Sequence, residues 1–378
     1  MVLESKFYYS NLKKKILILL PDLKGGGAEK LHVNLANYWS SKGYRVKFIL
    51  LENEGVFREF LHRDIKIIDL NISKFRKIIF KLPLVINNEK PDILLVAMFP
   101  LTSLSLISLF FFKKKFKIFI SDHVNLSKSF KYELKVNEII PKIIMCLTYR
   151  FADGIIAVSK GVRNNLAKLS GLNPKKIRVI YNPVIISMHK KLNNSKLNIF
   201  NLWQGNYQYR ILSVGTLKFQ KNHEALIKAF SMIPSDLSIK LIILGDGPLK
   251  YKLKDLIKEL NQEYRIELKG FVIETEKYYS TATTFVLSSR WEGFANVLVE
   301  ALKYNLPIIS TDCDFGPNEI LENGKYGILI PVINYLDIKR EILKIISDNL
   351  KFENGYLRAL DFKVDKIGNK YLEYFFEK

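Results

Sequence analysis

Two glutamates eight residues apart, Glu292 and Glu300, enclose the run Gly293-Phe294-Ala295-Asn296-Val297-Leu298-Val299. Carboxylates so placed can each grip a pair of neighbouring hydroxyls, one set on a hexose and one on a ribose. Between them, the backbone N–H groups of a turn over Gly293–Asn296 and of the helix start that follows can hold a diphosphate. The residue types therefore outline a cradle for a sugar nucleotide. A paired acid and base is also open, because spacing alone does not choose. Two surface acids on an amphipathic element is the plain structural alternative, and it accounts poorly for acids inside so apolar a stretch.

Three other segments carry chemistry. In Ser213–His223, SVGTLKFQKNH, a strand ends at Gly215, a loop carries Lys218 and Lys221, and a helix begins near Asn222. Two cations and a helix N-terminus at the carboxyl edge of a sheet suit a diphosphate, although solvated lysines are abundant in this chain. In Pro21–Lys30, PDLKGGGAEK, the glycines 25–27 allow a tight turn, and a helix starting near Ala28 offers N–H groups to an anion. This is not a dinucleotide fingerprint, since its sixth position is Lys30, and no Gly-Lys-Ser/Thr loop occurs. In Ser121–Asn125, SDHVN, the strand-end His123 is one of five histidines and could orient or deprotonate a sugar hydroxyl; a structural role is the commoner fate of a lone histidine. Leu244–Pro248, Gly270-Phe271-Val272 and Asp314–Ile320 are lesser turns at strand ends, and Val272 could meet a base through its backbone.

These motifs need strand ends to stand on. Short apolar runs alternate with amphipathic stretches, the pattern of parallel sheets covered on both faces. Strands are expected at Lys15–Leu20, Val46–Leu51, Ile65–Leu70, Asp92–Ala97, Lys117–Ser121, Gly154–Val158 and Arg178–Tyr181, with helices at Ala28–Ser41 and Lys131–Phe151. A second series has strands at Ile211–Val214, Ile239–Leu244, Ile266–Leu268, Thr284–Leu287 and Pro307–Ser310. Its helices lie near His223–Met232, Leu249–Leu260, Glu274–Ser280 and Asn296–Tyr304, followed by Asp337–Asn349 and Leu357–Phe376. The polar, Asn/Lys-rich stretch His189–Asn198 reads as a connection. The expected organisation is a first doubly wound domain over 1–188, a linker over 189–209, a second such domain over 210–356 and a terminal helix over 357–378. Binding sites in such sheets lie beyond the carboxyl ends of strands.

Composition narrows the partners. The 378 residues, 48% hydrophobic and 25% charged, exclude a disordered scaffold and favour two domains. The net charge of +22 is lopsided: residues 1–200 hold 35 basic and 14 acidic residues, and residues 201–378 hold 24 and 23. Nucleic acid, an anionic membrane and an acidic polymer all fit that excess. The lysines are spread through the first half without a known nucleic-acid module or stacking platform, which argues against nucleic acid. Cys146 and Cys313 alone exclude a disulfide framework and a cysteine zinc site, and fit a reducing compartment. The apolar run Ile16–Leu20 stops at Pro21, so a buried first strand is expected rather than a signal peptide. Ile93–Phe112 is 20 residues long without a charge, but Pro100 and four hydroxyl residues interrupt it, so a strand and a helix Leu101–Phe112 are expected. The run FFFKKKFK, residues 110–117, reads as an interfacial membrane contact or as a solvated basic turn.

Taken in order, GGGAE, SDH, VGTLKFQKN, LGDGP, KGFV and Glu292-GFANVLV-Glu300 resemble glycosyltransferase family 4 over nearly the whole chain. The resemblance implies a GT-B fold with two Rossmann-like domains facing a cleft and a last helix returning to the first domain. It implies retention of anomeric configuration and a nucleotide sugar used without a metal or other cofactor. It places Gly26 and Gly27 at the diphosphate, Lys221 as the phosphate-binding lysine, and Val272 at the base. Glu292 falls on the donor sugar, Gly293, Phe294, Ala295, Asn296 and Val297 on the turn lining sugar and diphosphate, and Glu300 on the ribose. His123 falls near the reacting centre. His123, Glu292 and Lys221 are the expected catalytic residues, with Gly215, Thr216 and Lys218 completing the donor site. One departure is Thr216, where the family commonly has arginine; Lys218 is the candidate to replace that cation. FGPNEI leans toward UDP-linked hexoses or N-acetylhexosamines. The expected acceptor is a lipid-linked or cell-envelope glycan, met by a cytoplasmic enzyme peripheral to an anionic membrane. A GT-B epimerase, a catalytically silent lectin-like relic and a basic binding protein without catalysis are the alternatives, separable by product analysis.

Overall fold

A computed structural model describes residues 14–110, 115–186, 198–332, 334–348, 350 and 352–377. The chain divides into one unit of residues 1–186 with 363–378 and a second of residues 187–362. In the first unit the strands are β1 (Lys15–Leu20), β2 (Arg45–Leu50), β3 (Lys66–Asp69), β4 (Ile93–Ala97), β5 (Lys117–Asp122), β6 (Gly154–Ala157) and β7 (Ile177–Val179). They form a parallel sheet in the order β3-β2-β1-β4-β5-β6-β7. β1 and β4 are apolar throughout their buried length, because helices cover both faces of the sheet. The principal helices are α1 (Gly27–Ser41), α2 (Ile78–Glu89), α3 (Leu101–Ser108), α4 (Ile139–Thr148) and α5 (Lys160–Ser170).

The second unit repeats the plan with β8 (Tyr209–Val214), β9 (Ile239–Leu244), β10 (Ile266–Gly270), β11 (Thr284–Leu287), β12 (Ile308–Thr311) and β13 (Ile328–Ile330). These are parallel in the order β10-β9-β8-β11-β12-β13. Its principal helices are α6 (His223–Ser231), α7 (Lys250–Glu259), α8 (Glu276–Thr281), α9 (Asn296–Lys303) and α10 (Tyr335–Asp348). In each sheet the strand order reverses beside the first strand, at β1/β4 and at β8/β11. Doubly wound sheets take ligands at such reversals, beyond the carboxyl ends of the two neighbouring strands.

α11 (Val364–Phe376) belongs to the first unit and packs on α1. Tyr371 and Phe375 meet the buried Trp39 edge-on at 5.8 and 5.5 Å, and Trp39 Nε1–H donates to the Gly368 carbonyl at 3.1 Å. A Cβ at Gly368 would lie 2.4 Å from Tyr38, so glycine sets how near the two helices come. Trp39→Phe keeps most of the ring and deletes the donor. It is expected to lower unfolding stability by about 1–2 kcal/mol, read from urea melts.

Four expectations on elements are corrected. The helix over Lys131–Phe151 is two pieces: a π-turn at Ser129–Glu133 ends, Lys135 adopts φ 51°, and α4 begins at Ile139. Pro141 is the cause, since proline is accepted in a first helical turn but not deeper. The helix over Leu357–Phe376 breaks at Lys363, which is extended and pairs with Ile185 while Val364 N–H donates to the Ile185 carbonyl. The helix from Leu101 ends at Ser108, and Phe111, Phe112, Lys113 and Lys114 of the apolar-basic run lie outside the described residues. β13 was not expected; its three residues fit between Gly327 and Pro331, and a Cβ at Gly327 would press on Ile308 of β12 at 3.0 Å. Most of the connection His189–Asn198 also lies outside the described residues. Among the described residues, no helix is long and apolar enough to cross a membrane.

Candidate active site

Because β8 pairs directly with β11, the loops that follow them run side by side. The first, Gly215–Asn222, carries Lys221, and the second, Ser288–Ala295, carries Glu292. Their side chains meet: Lys221 Nζ lies 2.6 Å from Glu292 Oε1. Ser289 Oγ donates to the same oxygen at 2.6 Å. The Glu292 side chain is 6% exposed and that of Lys221 15%, so the pair is largely withdrawn from water, where a charge-assisted contact is strong and an uncompensated charge is costly.

The loops are fixed to each other by a dense set of bonds. Gln220 Nε2 donates to the Trp291 carbonyl at 2.8 Å, and Arg290 N to the Gln220 carbonyl at 2.7 Å. Arg290 Nη2 reaches Asn222 Oδ1 at 2.7 Å, and its guanidinium lies 4.4 Å from the Phe219 ring centroid. Ser288 Oγ donates to the Lys221 carbonyl at 2.9 Å, and Thr311 Oγ1 to that of Ser289 at 2.6 Å. Glu292 N–H donates to the Asp314 carbonyl at 3.0 Å, and a Cβ at Gly316 would sit 2.3 Å from the Phe294 carbonyl. The DFGPNEI turn thus closes against the Glu292 loop.

The rest of the expected donor site spreads around this pair. Gly215 faces Lys221, since a Cβ there would touch the lysine's methylenes at 3.3 Å. Thr216 is exposed on the same loop, and Lys218 N–H donates to the Thr216 carbonyl at 2.8 Å. The LGDGP turn packs beneath: a Cβ at Gly245 would strike the Gly215 carbonyl at 2.1 Å. Gly293, Phe294 and Ala295 lead into α9, where Ala295 takes φ 72° at the N-cap and no side chain caps the helix. Asn296 and Val297 open that helix, half-buried. Glu300 stands farther along it and takes a bond from Tyr279 Oη at 3.0 Å, apart from the Lys221 pair. Val272 follows β10 on the far side of β9, half-buried between the exposed Phe271 and Ile273.

Gly26, Gly27 and His123 belong to the first unit. Gly26 is the N-cap of α1 without a side-chain cap, and a Cβ there would collide with Glu29 Oε2 at 2.2 Å. His123, at the end of β5, lies edge-on to His32 of α1 with ring centroids 5.2 Å apart. Its Nε2 pairs with Ser121 Oγ at 3.0 Å, and His32 Nδ1 pairs with the Ala28 carbonyl at 2.7 Å. The glycine turn and the strand-end histidine therefore share a neighbourhood through His32. Burial drives the His32 pKa down to about 4. Burial and the neighbouring His32 hold His123 well below the usual histidine range. Both imidazoles are neutral at pH 7, the form able to accept a proton. Beside them, burial raises the Asp122 carboxyl to about 6, while bonds from Tyr149 Oη (2.7 Å) and Phe99 N–H (3.1 Å) hold it back. His32, Ser289, Gln220 and Arg290 were not singled out in the sequence. Ser289 and Arg290 lie just before Glu292 in the sequence, and His32 is four residues from Ala28, one helical turn.

His223, first in α6, is buried beside Lys221, and burial foremost lowers its pKa to about 3. Its folded pKa lies below its unfolded value of about 6.5, so it takes up its proton on unfolding. Stability carried by the neutral form is complete above pH 6.5 and lost as pH falls toward 3. Relative to His223→Gln, the wild type is expected to lose up to about 1.4 kcal/mol per pH unit below 6.5. Urea melts of both at pH 7.5 and 5 measure it.

Among the described residues no cluster of three or more His, Cys, Asp or Glu side chains could hold a metal ion. Two family models match: Glycosyltransferase Family 4 over residues 25–187 and Glycosyl transferases group 1 over residues 200–357. An uncharacterised glycosyltransferase of Methanocaldococcus jannaschii is 30% identical over 336 residues, 78% of this chain and 81% of that protein. The N-acetylgalactosamine-N,N'-diacetylbacillosaminyl-diphospho-undecaprenol 4-alpha-N-acetylgalactosaminyltransferase of Campylobacter jejuni is 34% identical over 245 residues, 63% of this chain and 64% of that protein. Among solved structures, HepE of Anabaena in complex with UDP-glucose superposes with a TM-score of 0.80 at 20% identity, covering 95% of this chain and 98% of that one. The fold and these matches define a GT-B glycosyltransferase. The chain belongs to the group 1 glycosyltransferases of family 4.

Proposed function

We propose that the protein moves a hexose or N-acetylhexosamine from a UDP-linked donor to a hydroxyl of a lipid-linked glycan, with retention of anomeric configuration. The observation that carries this reading is the buried Lys221–Glu292 pair at the β8/β11 reversal. Lys221 supplies positive charge to the leaving diphosphate, aided by the N-terminus of α9. Glu292 accepts from Lys221 and Ser289 through Oε1, and in this reading Oε2 meets a hydroxyl of the donor sugar. Glu300 serves the ribose and the Val272 backbone the base. His123, neutral and at the end of β5, serves the sugar or acceptor hydroxyl.

Departure of the stabilised diphosphate leaves an oxocarbenium-like sugar, and the acceptor hydroxyl attacks from the face just vacated. The diphosphate takes the hydroxyl proton, so no protein carboxylate is consumed. Recovery of a covalent glycosyl adduct on Asp or Glu would overturn that course. The UDP preference is supported by the FGPNEI turn and by the UDP-glucose held in the Anabaena protein of like fold. The acceptor class is supported by the diphospho-undecaprenol substrate in the Campylobacter enzyme's name. The test is a panel of nucleotide sugars assayed for turnover, with mass analysis of products formed on membrane extracts. Free UDP with a lengthened lipid-linked glycan is expected. An altered nucleotide sugar with no acceptor product would make the protein an epimerase instead.

A further inference from the structure

α4 is inside-out for a surface helix. At about 100° of rotation per residue, Ile139, Ile140, Ile143 and Leu147 fall on one side, and Pro141, Met145 and Thr148 on the opposite side. The second set is buried against the unit. The first set faces outward with relative exposures of 57%, 67%, 54% and 58%. A helix on a water-washed surface turns charged and polar residues outward. Here the outward side is three isoleucines and a leucine, and Lys142 stands at its border. Leu134 before the helix and Phe151 after it are also exposed, at 56% and 45%, and Phe151 packs edge-on against Phe110 at 4.9 Å. Four exposed aliphatic side chains on one face of a helix mark an interaction site.

The charges around the patch choose its occupant. Lys131, Lys135, Lys142 and Arg150 are all exposed, against Glu133 and Glu138. The first 200 residues carry 35 basic and 14 acidic side chains. A second copy would bring two lysine-rimmed patches together and repel. An anionic bilayer would attract the rim and receive the aliphatic side chains below its headgroups, where Lys and Arg reach back to phosphate. We propose that the outward face of α4 seats the protein on an anionic lipid bilayer, lying in the interface plane. The face deepens the lipid-linked acceptor reading given above, and it stands on this surface without that reading.

Full-length protein is mixed with vesicles of phosphatidylglycerol and phosphatidylethanolamine, or of phosphatidylcholine, at low ionic strength, with no donor or acceptor present. At least tenfold tighter binding to the anionic vesicles is expected. Ile140→Ser with Ile143→Ser leaves net charge unchanged and is expected to weaken binding about tenfold, with the thermal midpoint and vesicle-free donor hydrolysis unaltered. Failure of the wild type to bind anionic vesicles overturns the inference. So does unaltered binding of the double variant, which would assign the attraction to lysines alone. A dimer in light scattering that the double variant dissolves would assign the patch to a second copy. Donor turnover without vesicle binding sinks this inference and leaves the transferase reading standing.

Discussion

Glu292→Gln is expected to lower sugar-transfer turnover about 10²- to 10³-fold while the chain stays folded. The side chain is 6% exposed and takes bonds from both Lys221 Nζ and Ser289 Oγ. A glutamine keeps the shape and can still accept both bonds through its amide oxygen. What it loses is the negative charge, and with it the orientation of Lys221 and a strong acceptor for a donor hydroxyl. In the proposed reaction both matter most as charge develops on the breaking sugar–diphosphate bond, so the loss is expected on kcat rather than on KM. Glu292→Ala is a poorer probe. It strips a partner from a mostly buried lysine and is expected to cost about 3–5 kcal/mol of stability as well. UDP release at saturating donor, beside thermal melts, measures the glutamine variant. Turnover within threefold of wild type would remove Glu292 from the reaction.

Lys221→Ala is expected to weaken binding of the UDP-linked donor by about 10- to 100-fold, a cost of about 1.4–2.8 kcal/mol. Its ammonium is held at the carboxyl edge of β8 by Glu292 and by a loop bonded through Gln220, Arg290 and Ser288. A charge already in position loses little entropy on meeting a diphosphate. Lys218 tests the departure at Thr216. If it replaces the missing arginine, Lys218→Ala weakens donor binding by several-fold and Lys218→Arg restores it. Unchanged binding in Lys218→Ala beside a large loss in Lys221→Ala would leave Lys221 as the loop's only contributing cation. Titration calorimetry with UDP and with the UDP-sugar reads both variants.

Much of the fold was legible in the chain. β1, β9 and β11 have the expected ends, because each is a mainly apolar run that stops at Pro21, Gly245 or Ser288. The exceptions have local or distant causes. Pro141 was a visible reason for α4 to start late. The break at Lys363 was not visible: Leu360-Asp361-Phe362-Lys363 contains no helix breaker, and the extended residue is held by Ile185, 178 positions away. β13 is too short to show a period and exists because β12 offers an edge to pair with.

The site divides in the same way. Sequence alone determined the residue types at each strand end, the glycine at each tight approach, and through the ordered motifs the family. It offered Lys221 and Glu292, 71 positions apart, as separate candidates to meet an anion and a hydroxyl. Only the tertiary structure decided that they touch, because side-chain contact depends on which strands pair, and β11 pairs with β8 and not with its sequence neighbour β10. It likewise brought His32 to His123 across β4, and set Glu300 with Tyr279 rather than with Glu292. The outward face of α4 was invisible for a related reason. A helical period separates two sides of a helix, and only the packing tells which side meets the protein.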